Sequence, residues 1–517
     1  HMTSSAPNNP RILVRSSIAP HESVGPEAAH ARKSMGTFAG NVGNLLFMDA
    51  VYRTVNTNDA TVVADALTTE GRRMTQAHID RINDEFDLFV VPLANAFRES
   101  FIGVLNRFSD VIEKLTIPVV VTGIGAQTRF DWEDDFASPE LKEASSRFVR
   151  AVLDRSASIG VRGELSAEFL GKLGFGDDVV EVIGCPSMYA DGRTPIIEKK
   201  VAGLTSESPI ALTITPRVEG AVDLMDRTAD AYPKMIYVPQ ENRELALLLW
   251  GERVGGMPEG FPRDTDHRLF REDRIRFPLD APGWKALLRE QEFVFGGRIH
   301  GTIAAITAGT PAVLLAHDHR TRELAEYHGI PWVQTQTLAP DLEAGRLHDE
   351  ADFSTLNARR DETFERWVSF LDRNGVPHVH TPGRENPAYA EQIALRSPMP
   401  PVGPITSAGP EQLVSRLRWL RQGMDGDQLR PVRAYHAQFQ PAGSGIHSVN
   451  HHISTLTSQQ KGQAKELARL QKLAAGQSAQ IERLTSLVES RSGGWFRRTA
   501  VALRRRAGAV KRRLARG

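Results

Sequence analysis

The sequence is nearly without cysteine: Cys185 is the only one in 517 residues. That excludes an intramolecular disulfide and a thiolate zinc cluster, and it suggests a reducing compartment. Long apolar runs are missing as well. No stretch reaches the roughly 18 apolar residues that a spanning helix needs. The first residues lack the charged-then-apolar pattern of a secretory signal, and His1-Met2 reads as a cloning remnant outside the fold. These absences point to the cytoplasm.

Acidic residues are missing from the C-terminal end, where basic ones gather. From Arg491 to Gly517 there are ten Arg/Lys and no Asp/Glu, which leaves 53 basic against 63 acidic residues elsewhere. The formal net charge of zero therefore hides an acidic body and a basic tail, an asymmetry that marks an interaction segment. A hydrophobic share of 41% with 24% charged residues suits a soluble globular protein with a large core. The length allows two or three domains.

Apolar runs of strand length alternate with helical spacing through the first part of the chain. "RILVRS", "DLFVVPLAN", "IPVVVTGIGAQ" and "DVVEVIGCPSMY" predict strands. "GNVGNLLFMDAVYRTV" predicts a glycine-bearing turn opening a helix. "SPELKEASSRFVRAVLDRS" predicts a helix with Ser138 as its cap and Pro139 in its first position. "ASIGVRGELSAEFLGKLGF" predicts a short strand, then a helix ended by Gly174. The pattern restarts at "SPIALTITPR" and continues through "KMIYVPQEN", the helical "RELALLLWGERV", and the strands "RIRFPL", "EFVFGG" and "TPAVLLAHD". "RTRELAEYHGIP" closes it as a helix ending at Gly329. Strands apolar throughout, separated by helices, argue for parallel sheets covered on both faces. Two α/β units follow, residues 11–200 and 205–380, with ligands expected in the cleft between them at the carboxyl ends of the strands.

Residues 381–446 are rich in Pro, Gly and Ser and predict a linker with one helix, "PEQLVSRLRWLRQGM". Residues 447–490 predict a coiled coil. A heptad register from Ile453 to Val488 has eight apolar residues in eleven core positions, broken by Gln460, Gln463 and Gln477. A coiled coil implies a homo-oligomer; the alternative is one amphipathic helix packed on its own body. Residues 491–517 predict a basic amphipathic helix. Phe496, Ala500, Leu503, Ala507, Val510 and Leu514 share one face, Arg and Lys cover the rest, and Trp495-Phe496 form an anchor. Such a helix suits the surface of an anionic membrane, reached through residues 495–517. A solvated tail and an acidic partner are the alternatives; nucleic acid is not expected, because no nucleic-acid module accompanies the helix.

The chemistry gathers in "GGRIHG". Gly296-Gly297 allow a sharp turn at a strand end, and "HGTIAAITAG" predicts a helix ending at Gly309. Arg298 and His300 then sit beside the first helical turn, where free N–H groups and partial positive charge favour anions. Arg298 adds a forked donor for carboxylate or phosphate. His300 adds a proton carrier near neutral pH. The alternative is a histidine capping the helix and an arginine held in a salt bridge nearby. The histidines of "HDHR" and "HSVNHH" form no convincing metal-ligand set, so no metal is expected.

"GGRIHGTIAAITAGTPAVLLAHDHRTRELAEYHGIP" resembles the C-terminal signature of the polysaccharide pyruvyl transferase family. "GNVGNLLFMDAV", "VTGIGAQ", "SIGVRGELSAEFLGKLG" and "VIGCPSMY" resemble further pieces of it in the same order, over roughly residues 36–335. The resemblance implies two Rossmann-like domains in a GT-B-like arrangement, with the acceptor on the N-terminal side and the donor on the C-terminal side. It implies transfer of the pyruvyl group of phosphoenolpyruvate to two hydroxyls of one sugar as a cyclic ketal, with no cofactor. The acceptor would be a saccharide of the bacterial cell envelope or an exopolysaccharide, and the basic tail makes a lipid-linked one plausible. The protein would then work as a peripheral protein at the inner face of the plasma membrane. Arg298 and His300 match the family's donor-binding and proton-transfer motif, and Arg217 matches a further donor-binding arginine. Asn41, Gly43, Asn44, Gly125 and Arg162 fall in the acceptor or cleft segments. Asn44 stands where many relatives carry an aspartate, and Gly163 follows Arg162 where an acidic residue is common. Capping of the first helix is the alternative for Asn41 and Asn44, and a structural place for Arg162. Two other readings remain: a GT-B-like glycosyltransferase using a nucleotide sugar, and a non-catalytic membrane-associated scaffold.

Overall fold

Eleven strands, all paired in parallel, carry the architecture among the described residues. The computed structural model describes residues 9–424, apart from 23, 32–39, 72–73, 128–136, 336–341 and 396–397; beyond 424 it describes Ala479, Glu482, Arg483 and Ser486. The chain divides into two compact units, residues 1–439 and 440–517. The predicted coiled coil (apart from those four residues) and the predicted basic helix lie outside the described residues. No helix among the described residues is long and apolar enough to cross a membrane.

Within the first unit, β1 (Arg11–Val14), β2 (Thr61–Ala64), β3 (Leu88–Pro92) and β4 (Val119–Thr122) form one sheet in the order β2-β1-β3-β4. β5 (Ile159–Val161) and β6 (Val180–Val182) form a parallel pair, and an Ile124–Val161 bridge joins it to the segment after β4. β7 (Ile210–Leu212), β8 (Ile236–Tyr237), β9 (Phe293–Gly296), β10 (Ala312–Ala316) and β11 (Trp332–Gln334) form the second large sheet, in the order β11-β10-β9-β7-β8. The central strands are apolar on both faces because helices cover both. Phe293, Val294 and Phe295 are fully buried, as are Val119, Val120 and Val121. At roughly 2 kcal/mol per buried aliphatic or aromatic side chain, these strands supply much of the folding drive.

Helix signals act where the sequence puts them. Ser138 accepts from the Leu141 N–H and caps Pro139–Leu153. Gly329, in the left-handed region, ends His319–His328. "RIRFPL" is a correction. It forms no strand, only single bridges from Ile275 to Tyr237 and from Phe277 to Val402. Tyr237 bonds the Arg274 and Arg276 main chain, Phe277 and Val402 exchange a pair of backbone bonds, and the Arg274 side chain donates to the Met235 and Tyr232 carbonyls, so the segment is tied down at single points and not along a ladder. β2 and β11 were not anticipated. Both are short edge strands with partly exposed residues, too weakly patterned to stand out.

The two large sheets share one apolar core. The helix Val42–Val55 is central to it, with Leu46, Met48 and Val51 buried among residues of both halves. Small residues in the helix Ile299–Thr307, with Ala304 and Ala305 fully buried, permit close packing. The long helix Ser354–Arg373 returns to the first half: Asn374 just beyond it donates to Ser158 and accepts from the Ser158 N–H.

Candidate functional site

The carboxyl ends of the strands meet around a cleft of about 500 Å³. Its wall is built from the segments that follow eight of the strands, and five of those segments contribute a cation. Arg98 follows β3, Arg162 follows β5, Arg217 follows β7, Arg298 and His300 follow β9, and His317 and Arg320 follow β10. Glu241, after β8, is the single carboxylate residue among the lining residues.

The β9 turn depends on its glycine. Gly296 has φ +148°, and a Cβ there would run into the Thr213 backbone on β7's continuation. Arg298 donates its N–H to the Thr213 carbonyl at 3.0 Å and immediately precedes the helix Ile299–Thr307. Its guanidinium donates to Glu241 at 2.6 Å. The salt bridge considered as the alternative for Arg298 therefore exists, and it lies inside the cleft. Burial works against the Arg298 charge, but Glu244 and Glu241 outweigh it and hold the pKa above its ordinary value. Glu241 in turn is held below the usual carboxylate range: burial opposes its charge, and Arg298 and Arg243 overcome that.

His300 sits in the first turn of the same helix, pressed against Gly43 and the Phe47 ring. Its Nε2 lies 3.9 Å from the Cys185 thiol. Burial, with Arg162 and Arg320 nearby, pushes its pKa down to about 3. The imidazole is thus neutral in the ligand-free protein. It is a proton acceptor here, and becomes a donor only once a bound anion offsets those arginines.

Asn41 caps the helix Val42–Val55 by accepting from the Gly43 N–H at 2.8 Å, and it also lines the cleft. The main chain there is stitched to the loop after β8: Val42 N–H donates to the Gln240 carbonyl at 2.9 Å, and Asn41 bridges Glu241. Asn44 lines the cleft one turn further on. Gly125 does not line it; a Cβ at that position would collide with the Arg162 side chain, so its role is to let Arg162 approach. Arg162 is 3% exposed, has no ion pair within 4 Å among the described residues, and leaves its Nε without a partner. Burial lowers its pKa, against the pull of Glu323 and Cys185.

Arg98, Arg320, His317, Gln240 and Glu241 escaped the sequence reading. The missed signal is positional: each stands within a few residues of the carboxyl end of an apolar strand run. Arg98 has its pKa lowered by burial and then by Arg320 and Arg217, so three arginines from two sheets repel one another across the cleft. His317 is pushed down to about 4, chiefly by burial with Asp318 opposing, and its buried Nδ1 has no partner. Arg320 Nε and Gln240 Nε2 are also buried without partners. Arg320 is paired with Asp318 at 3.2 Å, but Arg98, Arg162 and Arg217 have no ion pair within 4 Å among the described residues; these cations, beside buried polar atoms without partners, make a cradle for an anion rich in acceptor oxygens.

A model of the polysaccharide pyruvyl transferase family matches residues 41–319. No curated protein matches the sequence significantly. Among solved structures, the UDP-GlcNAc 2-epimerase from Methanocaldococcus jannaschii is 12% identical, with 70% of this chain and 99% of that one covered, at a TM-score of 0.35. The UDP-GlcNAc 2-epimerase from Neisseria meningitidis bound to UDP-GlcNAc is 12% identical, with 75% and 100% covered, at 0.34. A glycosyltransferase from Streptomyces nogalater is 12% identical, with 75% and 99% covered, at 0.30. Likeness at that level decides nothing about activity or about how the two sheets are arranged.

Proposed function

Because this chain belongs to the polysaccharide pyruvyl transferase family, we propose that it moves the pyruvyl group of phosphoenolpyruvate onto two hydroxyls of one sugar, forming a cyclic ketal and releasing phosphate. The observation that supports this reading most is the charge of the cleft: five arginines and two histidines line it against one carboxylate residue. Phosphoenolpyruvate carries a carboxylate and a phosphate, so it calls for several cations held in one place.

The reaction balances without a cofactor. One sugar hydroxyl attacks the enol carbon while the terminal CH2 takes a proton and becomes a methyl group. The C–O bond to phosphate breaks, and its electron pair leaves with phosphate. The second hydroxyl closes the ketal. Of the two hydroxyl protons, one ends on the methyl carbon and the other on phosphate. Neutral His300 suits this sequence: it accepts a hydroxyl proton, and the bound anion then keeps the imidazolium stable long enough to deliver it. Arg298, Arg217 and Arg320, from the second sheet, take the donor. The segments after the first sheet's strands, carrying Asn41 and Asn44 at the start of the helix Val42–Val55 and Arg98 in the loop after β3, face the acceptor in a GT-B-like arrangement of two Rossmann-like domains.

The acceptor in this reading is a cell-envelope or exopolysaccharide precursor. The protein meets it at the inner face of the plasma membrane through residues 495–517 and assembles through 453–488. The decisive assay incubates the full chain with phosphoenolpyruvate and a panel of saccharides. Release of phosphate together with a ketal on the sugar is the expected result. Product formed only from a nucleotide sugar would overturn it.

A further inference from the structure

The helix Glu164–Lys172 starts without a cap of its own. Its N-cap residue is Gly163, which has no side chain to accept the first free N–H groups. A glycine there forgoes the side-chain bond that Ser, Thr, Asn or Asp would make to the third helical residue. The missing acceptor comes from the other half of the protein. Glu323, on the helix His319–His328, accepts from the Ser166 N–H at 3.1 Å and from the Ser166 hydroxyl at 2.9 Å. Ser166 is the third residue of the uncapped helix, the position an N-cap side chain would serve. A Cβ on Gly163 would lie 2.7 Å from the Glu323 carboxylate, so the two solutions exclude one another in space.

The bond does not end at Ser166. The same hydroxyl accepts from the Ala126 N–H at 3.0 Å. Ala126 bridges Phe97, and Gln127 donates its N–H to the Phe97 carbonyl. Arg98 is the next residue, and Gln127 and Arg98 both line the cleft. Arg162, one residue before Gly163, donates its N–H to the Ile124 carbonyl at 3.0 Å and its guanidinium to the Gly123 carbonyl at 3.4 Å, while its buried Nε has no partner and its charge has no ion pair within 4 Å among the described residues. One carboxylate therefore holds, through one serine, the two segments of the first half that carry Arg98 and Arg162. It does so from the helix that also carries Arg320, across the junction between the halves. Ser166 is fully buried and Glu323 is 6% exposed, so water does not replace these bonds.

We propose that Glu323 is a positioning residue: it caps the helix Glu164–Lys172 from the opposite half and thereby sets Arg162 and the Ala126–Arg98 segment against the donor cations of the second sheet. The role rests on the pyruvyl-transfer reading for its effect on turnover, and on geometry alone for its effect on the loop.

The test is a cap exchange. Glu323→Ala removes the cap and lowers kcat/KM for phosphoenolpyruvate by about tenfold. Gly163→Asp alone puts a second carboxylate into the same space and loses a similar amount. The double variant Gly163→Asp/Glu323→Ala has one cap again, supplied by the helix itself, and recovers to within a few fold of the parent. Hydrogen exchange at 123–127 and 163–167 follows the same order: faster in each single variant, restored in the double. A merely structural carboxylate would lower Tm without this reciprocity. Additive losses in the double variant, or full tolerance of Gly163→Asp alone, overturn the proposal. If the parent shows no pyruvyl transfer, the exchange measurements still decide whether Glu323 holds the loop.

Discussion

Gly43 and His300 are so close that a methyl group cannot come between them: a Cβ on Gly43 would lie 2.5 Å from the His300 Nδ1. Gly43 occupies the first turn of the helix Val42–Val55, where backbone conformation alone would welcome alanine. The glycine serves the histidine across the cleft and not its own helix. Gly43→Ala should therefore lower Tm modestly, because the clash with the His300 ring and its Cβ costs about 1–3 kcal/mol against the gain of up to about 1 kcal/mol that alanine brings to a helix. Turnover should fall by about a hundredfold, because the imidazole must move by about an ångström. Full turnover in this variant would break the link between the two residues.

The Arg298–Glu241 pair predicts opposite effects for its two members. Arg298→Ala removes an anion ligand and also leaves Glu241 and Glu244 without their main counter-charge. Loss of turnover should come with a stability loss of about 1–3 kcal/mol, below the value for a fully buried pair because Glu241 is 27% exposed. Glu241→Gln keeps the arginine and removes the competing carboxylate, so phosphoenolpyruvate should bind severalfold tighter. Calorimetry on both variants checks this; weaker binding in Glu241→Gln would mean that the carboxylate positions Arg298 more than it competes.

His300 links anion binding to protons. Its pKa lies at about 3 in the free protein because of burial, Arg162 and Arg320. A bound anion offsets those arginines and raises it. The sign follows: the complex holds more protons than the free protein, so affinity should rise as pH falls from about 7 towards 5. Calorimetry in buffers of differing ionisation enthalpy should find proton uptake, reduced in His300→Ala. NMR of the free protein should find the His300 ring neutral down to about pH 5.

Arg217 and Arg98 have no ion pair within 4 Å among the described residues and repel one another across the cleft. Removing Arg217 should leave stability within about 0.5 kcal/mol; removing Arg98 should cost about 1 kcal/mol, because it donates to the Asn95 carbonyl at 2.7 Å and lies over the Phe101 ring. Each should raise KM for phosphoenolpyruvate by ten- to a hundredfold, corresponding to about 1.4–2.8 kcal/mol. A large Tm drop with unchanged KM would assign them to the scaffold instead.

Truncation after Val488 should reduce binding to anionic liposomes and spare activity on a soluble acceptor. Binding by the full chain should weaken with added salt. Salt-insensitive or absent binding would separate the tail from membranes.

The chemistry of "GGRIHG" was legible because strand, glycine turn and helix start are local events, each dictated by a few neighbouring residues. The same holds for Asn41, a cap readable from its place before a helix. Arg98 and Arg320 were not legible. Nothing near "NAFRES" or "HDHR" in the sequence states that a loop after β3 and a loop after β10 will face one cleft. That depends on which strands become neighbours. Gly125 and Gly43 looked like parts of binding loops; each proves to be a space left for a side chain more than a hundred residues or several tens of residues away.

The sequence by itself determined the alternation of buried strands and helices, the parallel pairing and the Arg298–His300 turn after β9, because periodicity and turn chemistry act over a few residues. Only the tertiary structure decided the charges. Packing two sheets against one core brought five arginines to one cleft, paired one of them with Glu241, left Arg162 buried without an ion pair within 4 Å among the described residues, and pushed His300 down to about 3. Burial and proximity set a group's proton affinity, and neither exists until distant segments meet.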